Sequence, residues 1–328
     1  MKAISRLGDD ARRDLTLAAL TLMLFGAVTF AFPGFAAPGS LAALVDDIAI
    51  LVMLALGQML VILVRGIDLS VAANLALSGM LAALFNRAFP EAGVAPAIAI
   101  AVLAGAAAGA CNGLLVWKLK LPPIVVTLGT MSIFRGVIYP LSQGAWINEN
   151  EMSDGFVAFT RGQFAGLTVL AWLGIAIAAI FIVAMRHSRG ARAFYAAGGN
   201  PGAAAYCGID AGRIQFLAYT LCGAIAGLCG YLWAARFAVA YTDIALGFEL
   251  QVIAACLIGG VAIAGGTGTA LGVLLGCLFL GIIRNSLPLV GISAFWQLFI
   301  NGIVIVIAVL MSARRRVHTR SILENRAA

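Results

Sequence analysis

Between Phe248 and Gly276 the sequence reads FELQVIAACLIGGVAIAGGTGTALGVLLG. The run is apolar enough to lie in a bilayer, yet Gly259-Gly260, Gly265-Gly266 and Gly268 break it in the middle. A span that only anchors a chain in lipid has no need of five glycines near its turn. A helix interrupted there frees backbone groups that hydrocarbon cannot satisfy. Such backbone is either buried in protein or lines a wet cavity. The first constraint on this chain is therefore a helical membrane fold with an interior.

Composition agrees. The chain is 62% hydrophobic and 11% charged, with a mean hydropathy of +1.04, whereas a soluble domain carries about 25% charged residues. A spanning helix needs roughly 20 apolar residues. Ten candidates follow: Leu15–Phe32, Ala43–Val64, Leu69–Phe85, Val94–Trp117, Ile124–Tyr139, Leu167–Met185, Ile214–Ala235, Leu250–Ala264, Thr269–Ile283 and Phe295–Met311. Little more than Arg65-Gly66-Ile67-Asp68 separates the second from the third, so they are either two spans or one long span with a break at Gly66 and Asp68. The first span follows basic residues and precedes Phe35-Ala36-Ala37, as a signal peptide would. It exceeds the roughly 7–15 residues of a signal core, and an uncleaved helix is expected. The expected fold is all-α, a single transmembrane domain over 1–328, a polytopic bundle of about ten spans with eight as the lower bound.

Lys and Arg set the expected orientation. Alternating the ten spans from a cytoplasmic N-terminus leaves only Arg87, Arg135, Arg161, Arg236 and Arg284 away from the cytoplasmic side, out of 21 basic residues. Both termini are then cytoplasmic, and Glu149, Glu151 and Asp154 fall outside. The net charge of +7 reflects this topology and gives no sign of a nucleic-acid partner; membrane lipid is the expected surrounding. Six scattered cysteines lack metal-ligand spacing and read as small packing residues.

Two connecting segments are long. The outer one, 140–166, is acidic and carries Trp146, Phe156, Phe159 and Phe164. It either caps a pathway or meets a partner, or is a plain interfacial connector. The inner one, 186–213, contains a short helix by its local signals. Asn200 fits the N-cap, Pro201 the first helical position, and Ala203, Ala204 and Ala205 favour helix. Gly208 fits the residue just past the end. Such a helix needs packing partners, either a groove on another protein or this chain's own spans.

Polar groups at span depth mark an interior. Asp68 stands either as the N-cap of the third span, assisted by Ser70, or as a functional group. Arg135 lies deep in the fifth span and either meets a polar solute or fixes two helices together. The amides are more numerous and favour a neutral hydroxylated solute over an ion. Candidate pathway residues are Asn74, Asn112, Arg135, Gln251 and Asn301. Gly105–Gly109 and Gly272–Gly276 are small-xxx-small pairs that allow helices to touch. The chain has no P-loop, no catalytic constellation and only His187 and His318 as histidines, so an enzyme, a bound cofactor and a metal site are not expected. Energy for transport comes from a separate ATPase or a downhill gradient.

Five segments carry a resemblance: GIDLSVAAN from Gly66, GAAAGACNGLL from Gly105, LPPIVVTLGTMSIFRG from Leu121, RGARAFYAAGGNPGAAAYCGI from Arg189 and FELQVIAACLIGGVAIAGGTGTALG from Phe248. In order and spacing the chain resembles monosaccharide ABC-importer permeases of the ribose/xylose/arabinose type. The resemblance implies a permease subunit of the bacterial inner membrane, paired with a second permease copy or paralogue. It implies two ATP-binding cassette subunits on the cytoplasmic side and a periplasmic sugar-binding protein. It also implies that Asn200–Gly208 is the coupling helix. The family commonly has Asp where Gln251 stands. GAWINENEMS from Gly144 and AVAYTDIALGFEL from Ala238 resemble the rhamnose and autoinducer branches, which favours a pentose or a deoxyhexose such as rhamnose. The rival expectations are an ATPase-independent carrier or facilitator and a non-transporting membrane scaffold.

Overall fold

A computed structural model describes residues 9–292 together with 296, 299, 302 and 303. Apart from those last four positions, the expected tenth span and its Asn301 lie outside the described residues. Among the described residues the fold is almost wholly helical. Eight helices are long and apolar enough to cross a membrane. They are α1 (Asp9–Ala31), α2 (Pro38–Leu63), α3 (Val71–Ala88), α4 (Val94–Lys118), α5 (Pro123–Ser142), α7 (Val169–His187), α10 (Ala211–Phe237) and α12 (Ala270–Ser286), the last prolonged to Val290 by a 3-10 turn. Four shorter helices complete the chain order: α6 (Asp154–Arg161), α8 (Arg189–Gly199), α9 (Pro201–Tyr206) and α11 (Phe248–Ile258).

The eighth expected span differs. Leu250–Ala264 is not one helix, because α11 stops at Ile258 after 11 residues. At 1.5 Å per residue that is about 16 Å, short of a hydrocarbon core about 30 Å thick. The stop has a local cause. Gly260 takes φ +82°, its N–H bonds to Leu257 O, and the N–H of Val261 reaches back to Cys256 O. These are the two reversed bonds of a Schellman end. Residues 259–269 then form a hairpin that returns the chain into α12.

Two helices organise the core. From Ile48 to Leu63 every residue of α2 is buried, as expected of a helix that is apolar all round and sits inside a bundle. Beside it runs α10, packed on α2, α3 and α4. Glycines bring these backbones together. A Cβ on Gly223 would lie 2.3 Å from Gly105 O, one on Gly227 2.1 Å from Ala101 O, and one on Gly230 2.4 Å from Leu75 O. On the facing helix a Cβ at Gly109 would lie 2.2 Å from Tyr219 O. Gly272 and Gly276 make the same close approach to Gly259 and Ala255. Of the six cysteines, Cys222, Cys229, Cys256 and Cys277 are buried in this packing, and Cys111 and Cys207 are exposed.

Contacts group the corners into two ends. At one, Thr269 Oγ1 donates to Asp14, Gly266 N to Leu63 O, Gln215 to Val64 O and Thr127 Oγ1 to Ile67 O. Arg12, Arg13, Arg65, Lys118, Lys120 and Arg213 belong to the corners at this basic end. At the other, Asn86 bonds Ser153, Arg87 pairs with Glu151, Arg161 with Glu149, and Arg236 with Asp46 and Asp47. There a two-residue strand at Ile147–Asn148 pairs antiparallel with Val239–Ala240, tying the 140–166 segment to the end of α10.

The link Arg65–Asp68 is a corner between two helices, not a kink in one. Helix α2 ends in a second Schellman motif: Arg65 takes φ +66°, its N–H bonds to Ile62 O, and Gly66 N bonds to Val61 O at 2.9 Å. A Cβ on Gly66 would fall 2.5 Å from Tyr219 Oη. Asp68 is not the N-cap of α3. The cap position is Ser70, and no side chain caps that end. Asp68 is 1% exposed and turns inward, accepting the backbone N–H of Ser70 at 2.9 Å and its hydroxyl at 2.6 Å. An inward carboxylate that holds its own turn cannot also reach the next helical N–H groups.

Two outcomes are expected. Gly223→Leu forces a side chain into the Gly105 carbonyl and costs about 3 kcal/mol or more, read as lost thermal stability in detergent. Gly136→Ala, where nothing lies within 4 Å, changes it little. The second concerns pH. Burial pushes the Asp68 carboxyl from 3.8 up to about 6, against the pull of the Ser70 bonds. Between those values the folded chain holds a proton that the unfolded chain has released, so this contribution to stability falls as pH rises through the window and is flat above it. The melting midpoint of the native protein minus that of Asp68→Asn is therefore larger at pH 4.5 than at pH 7.5.

Candidate functional site

The segment between α7 and α10 is capped at every joint. Ser188 Oγ accepts Ala191 N at 3.0 Å and starts α8. Asn200 Oδ1 accepts Ala203 N at 3.0 Å and starts α9, with Pro201 in the first helical position. Gly208, at φ +76°, closes α9 with Gly208 N on Ala205 O and Ile209 N on Ala204 O. Asp210 then accepts Gly212 N and Arg213 N and starts α10. The fixed caps give a helix of only six residues a defined direction. Ala204 is 4% exposed, packed on the protein itself. The outward face is Ala203, Ala205 and Tyr206, the last 97% exposed. At the same end, between the α2 and α4 termini and the start of α10, opens a cleft of about 560 Å³ lined by Arg65, Trp117, Lys120, Asp210 and Gln215.

The joint between α8 and α9 sits on the core. Arg65 donates from Nε to Gly198 O at 2.6 Å and from Nη2 to Gly199 O at 2.7 Å. These are the last carbonyls of α8, which have no partner inside the helix. A Cβ on Gly198 would lie 1.6 Å from Leu63 O, and Leu63 O accepts Gly266 N at 2.8 Å. Tyr195 Oη donates to Gly268 O at 2.9 Å. The broken run thus has a clear place: Gly259, Gly265 and Gly268 are buried, and Gly260 and Gly266 half-buried, against protein. Of the two fates open to such backbone, this is burial in protein. Sequence reasoning missed Arg65 and Tyr195, since a basic residue at a membrane corner reads only as topology. The one available signal was the position of Arg65 directly before Gly66 in a helix-ending pattern.

The pathway candidates do not converge. Asn74 is buried, with Nδ2 on Gly105 O at 3.1 Å and Oδ1 accepting Ser78 Oγ. Asn112 is buried, with Nδ2 on Ser70 Oγ at 2.8 Å. Both stitch α3 to α4. Arg135 is half-buried on α5 and donates to Thr242 O at 2.7 Å and Ile244 O at 2.9 Å. The carboxylates of Glu249 and Asp243 lie near enough to attract it. Gln251 Oε1 accepts Arg284 Nη1 at 2.9 Å. Arg135 thus holds the irregular chain between α10 and α11 in place, close to an open face of α5 that presents Gly129, Ser132 and Gly136. Backbone of that kind is tolerated in a membrane where protein or water satisfies it. Among the described residues no group of His, Cys, Asp and Glu is arranged to hold a metal.

Comparison with known proteins places this geometry. The family described as branched-chain amino acid transport system / permease component matches residues 40–309. The ribose import permease of Escherichia coli (strain K12) is 36% identical over 298 residues, covering 90% of this chain and 92% of the relative. The ribose import permease of Bacillus subtilis (strain 168) is 38% identical over 285 residues, 86% and 87% of the two chains. The autoinducer 2 import permease of Klebsiella pneumoniae is 36% identical over 304 residues, 93% and 87%. No solved structure matches significantly. A multi-pass helical bundle, matched over most of its length by import permeases and by their family model, is a transport component and not an enzyme: this chain belongs to the family of monosaccharide ABC-importer permeases.

Proposed function

We propose that this chain is the membrane-spanning subunit of an ATP-driven importer that carries a monosaccharide across the bacterial inner membrane. The observation that carries the reading is the capped helix α9. It stands at the basic end with Ala203, Ala205 and Tyr206 turned outward, joined to the end of α8, which is itself seated on the end of α2. The small outward side chains of Ala203 and Ala205 let the helix dock closely in a groove. In this reading α9 is the coupling helix, the basic end is cytoplasmic, and the groove belongs to an ATP-binding cassette subunit. A second permease subunit completes the pore, and a periplasmic sugar-binding protein delivers the solute to the acidic end, where the 140–166 segment lies.

ATP-driven closure of the cassettes would move α9, and the two permease subunits would rock about a shared cavity. Arg135 and Gln251 remain the proposed pathway groups with atoms at an open surface. Asn74 and Asn112 are assigned instead to holding α3 against α4. The relatives' names support a pentose or a related sugar derivative. The segments from Gly144 and Ala238 support the deoxyhexose rhamnose.

Two outcomes test this. Affinity purification of the tagged chain from its native membrane, with trapped ATP, should recover a P-loop ATPase and a periplasmic binding protein. Recovery of the chain alone, with sugar flux in liposomes, would make it a facilitator. Ala203→Arg should weaken ATPase docking at least tenfold, about 1.4 kcal/mol, and abolish uptake, while the melting midpoint of the isolated permease stays unchanged. Ala204 is unsuited to that test because it is buried.

A further inference from the structure

We propose that Arg65 is a positioning residue for coupling. It fastens the α8–α9 joint to the α2–α3 corner, so that a displacement of α9 is delivered at once to that corner and to the glycine hairpin 259–269. The proposal rests on the importer reading and adds to it the route by which motion of α9 enters the membrane domain.

The geometry has three parts. First, the Arg65 guanidinium forks onto the Gly198 and Gly199 carbonyls at 2.6 and 2.7 Å, at the end of α8 and directly before the Asn200 cap of α9. A planar fork with two donors fixes direction as well as distance, which a flexible ammonium does not. Second, Arg65 cannot shift without moving its corner. It holds the left-handed position of the α2 end, and Gly66 beside it is enclosed by Tyr219 Oη and Val61 O. Third, Leu63 O, two residues before Arg65, accepts Gly266 N at 2.8 Å, and Tyr195 of α8 donates to Gly268 O at 2.9 Å. The ends of α2 and α8 therefore both grip the hairpin that joins α11 to α12. Glycine at 198, 199 and 266 leaves no side chain between these backbones; a Cβ on Gly266 would lie 2.5 Å from Gly199 Cα. Packed backbones of this kind move as a unit.

Arg65 is itself an exposed side chain outside the spanning helices. Its two bonds are to another segment 133 and 134 residues away. Its removal therefore leaves the core of α2 intact and cuts a link between segments.

The test uses the full complex in proteoliposomes with ATP, the binding protein and its sugar. Sugar imported per ATP hydrolysed is measured for the native protein, Arg65→Ala and Arg65→Lys. In Arg65→Ala, ATP hydrolysis should persist but lose its stimulation by loaded binding protein, and the ratio should fall about tenfold or more. Arg65→Lys keeps the charge without the fork and should restore little of it. A purely structural role would lower the yield of complex and leave the ratio per complex unchanged. A native ratio in Arg65→Ala overturns the proposal. Should Arg65→Ala fail to assemble, hydrogen exchange of the native complex with and without trapped ATP decides. Joint changes at 61–66, 196–200 and 262–268 support the proposal, and changes confined to 200–208 overturn it. A native complex with no ATP-driven uptake would overturn the importer reading itself, and the proposal with it.

Discussion

Lipid offers no hydrogen bonds, and the whole arrangement follows from how this chain answers that. Its long helices satisfy their own backbones. They are then pressed together through glycine, so that α10 meets α3 and α4 carbonyl against Cα with no side chain between. Between helices in a membrane there is little hydrophobic force to gain, and close van der Waals approach takes its place. Because the contact is backbone on backbone it cannot be adjusted by rotamer changes. The three helices behave as one post, and the corners at its basic end inherit a fixed spacing.

Those corners make the second use of glycine. At Gly66, Gly208 and Gly260 the chain leaves a helix through left-handed or crowded backbone, and each exit points a segment at its neighbour. The result is a small junction where α2, α8 and the 259–269 hairpin meet. Arg65 is its one long side chain reaching across to the α8 carbonyls, and Tyr195 reaches the hairpin from the other side.

Much of this was legible in the sequence. Hydrophobic periods and lengths marked the long helices because lipid imposes one length on all of them. Caps at Asn200, Pro201 and Gly208 marked α9 because capping is local chemistry between residues three or four apart. Other features were not legible, for equally physical reasons. The extent of α11 depends on where reversed hydrogen bonds close, which an apolar run does not encode. Asp68 reads as a cap by position, but its rotamer was decided by Ser70. Asn74 and Asn112 read as pathway groups from polarity alone. Only their partners, Gly105 O and Ser70 Oγ, reveal two helices being stitched together.

The glycine hairpin carries one more consequence, for biosynthesis. Among the described residues, its hydrogen bonds to other segments reach back to parts made earlier: Thr269 Oγ1 to Asp14 on α1, Gly266 N to Leu63 O at the end of α2, and Gly268 O from Tyr195 Oη on α8. Chains emerge from the ribosome N-terminus first, so these three partners are in place before the turn is made. Moving the same run to the front of the chain would reverse that order.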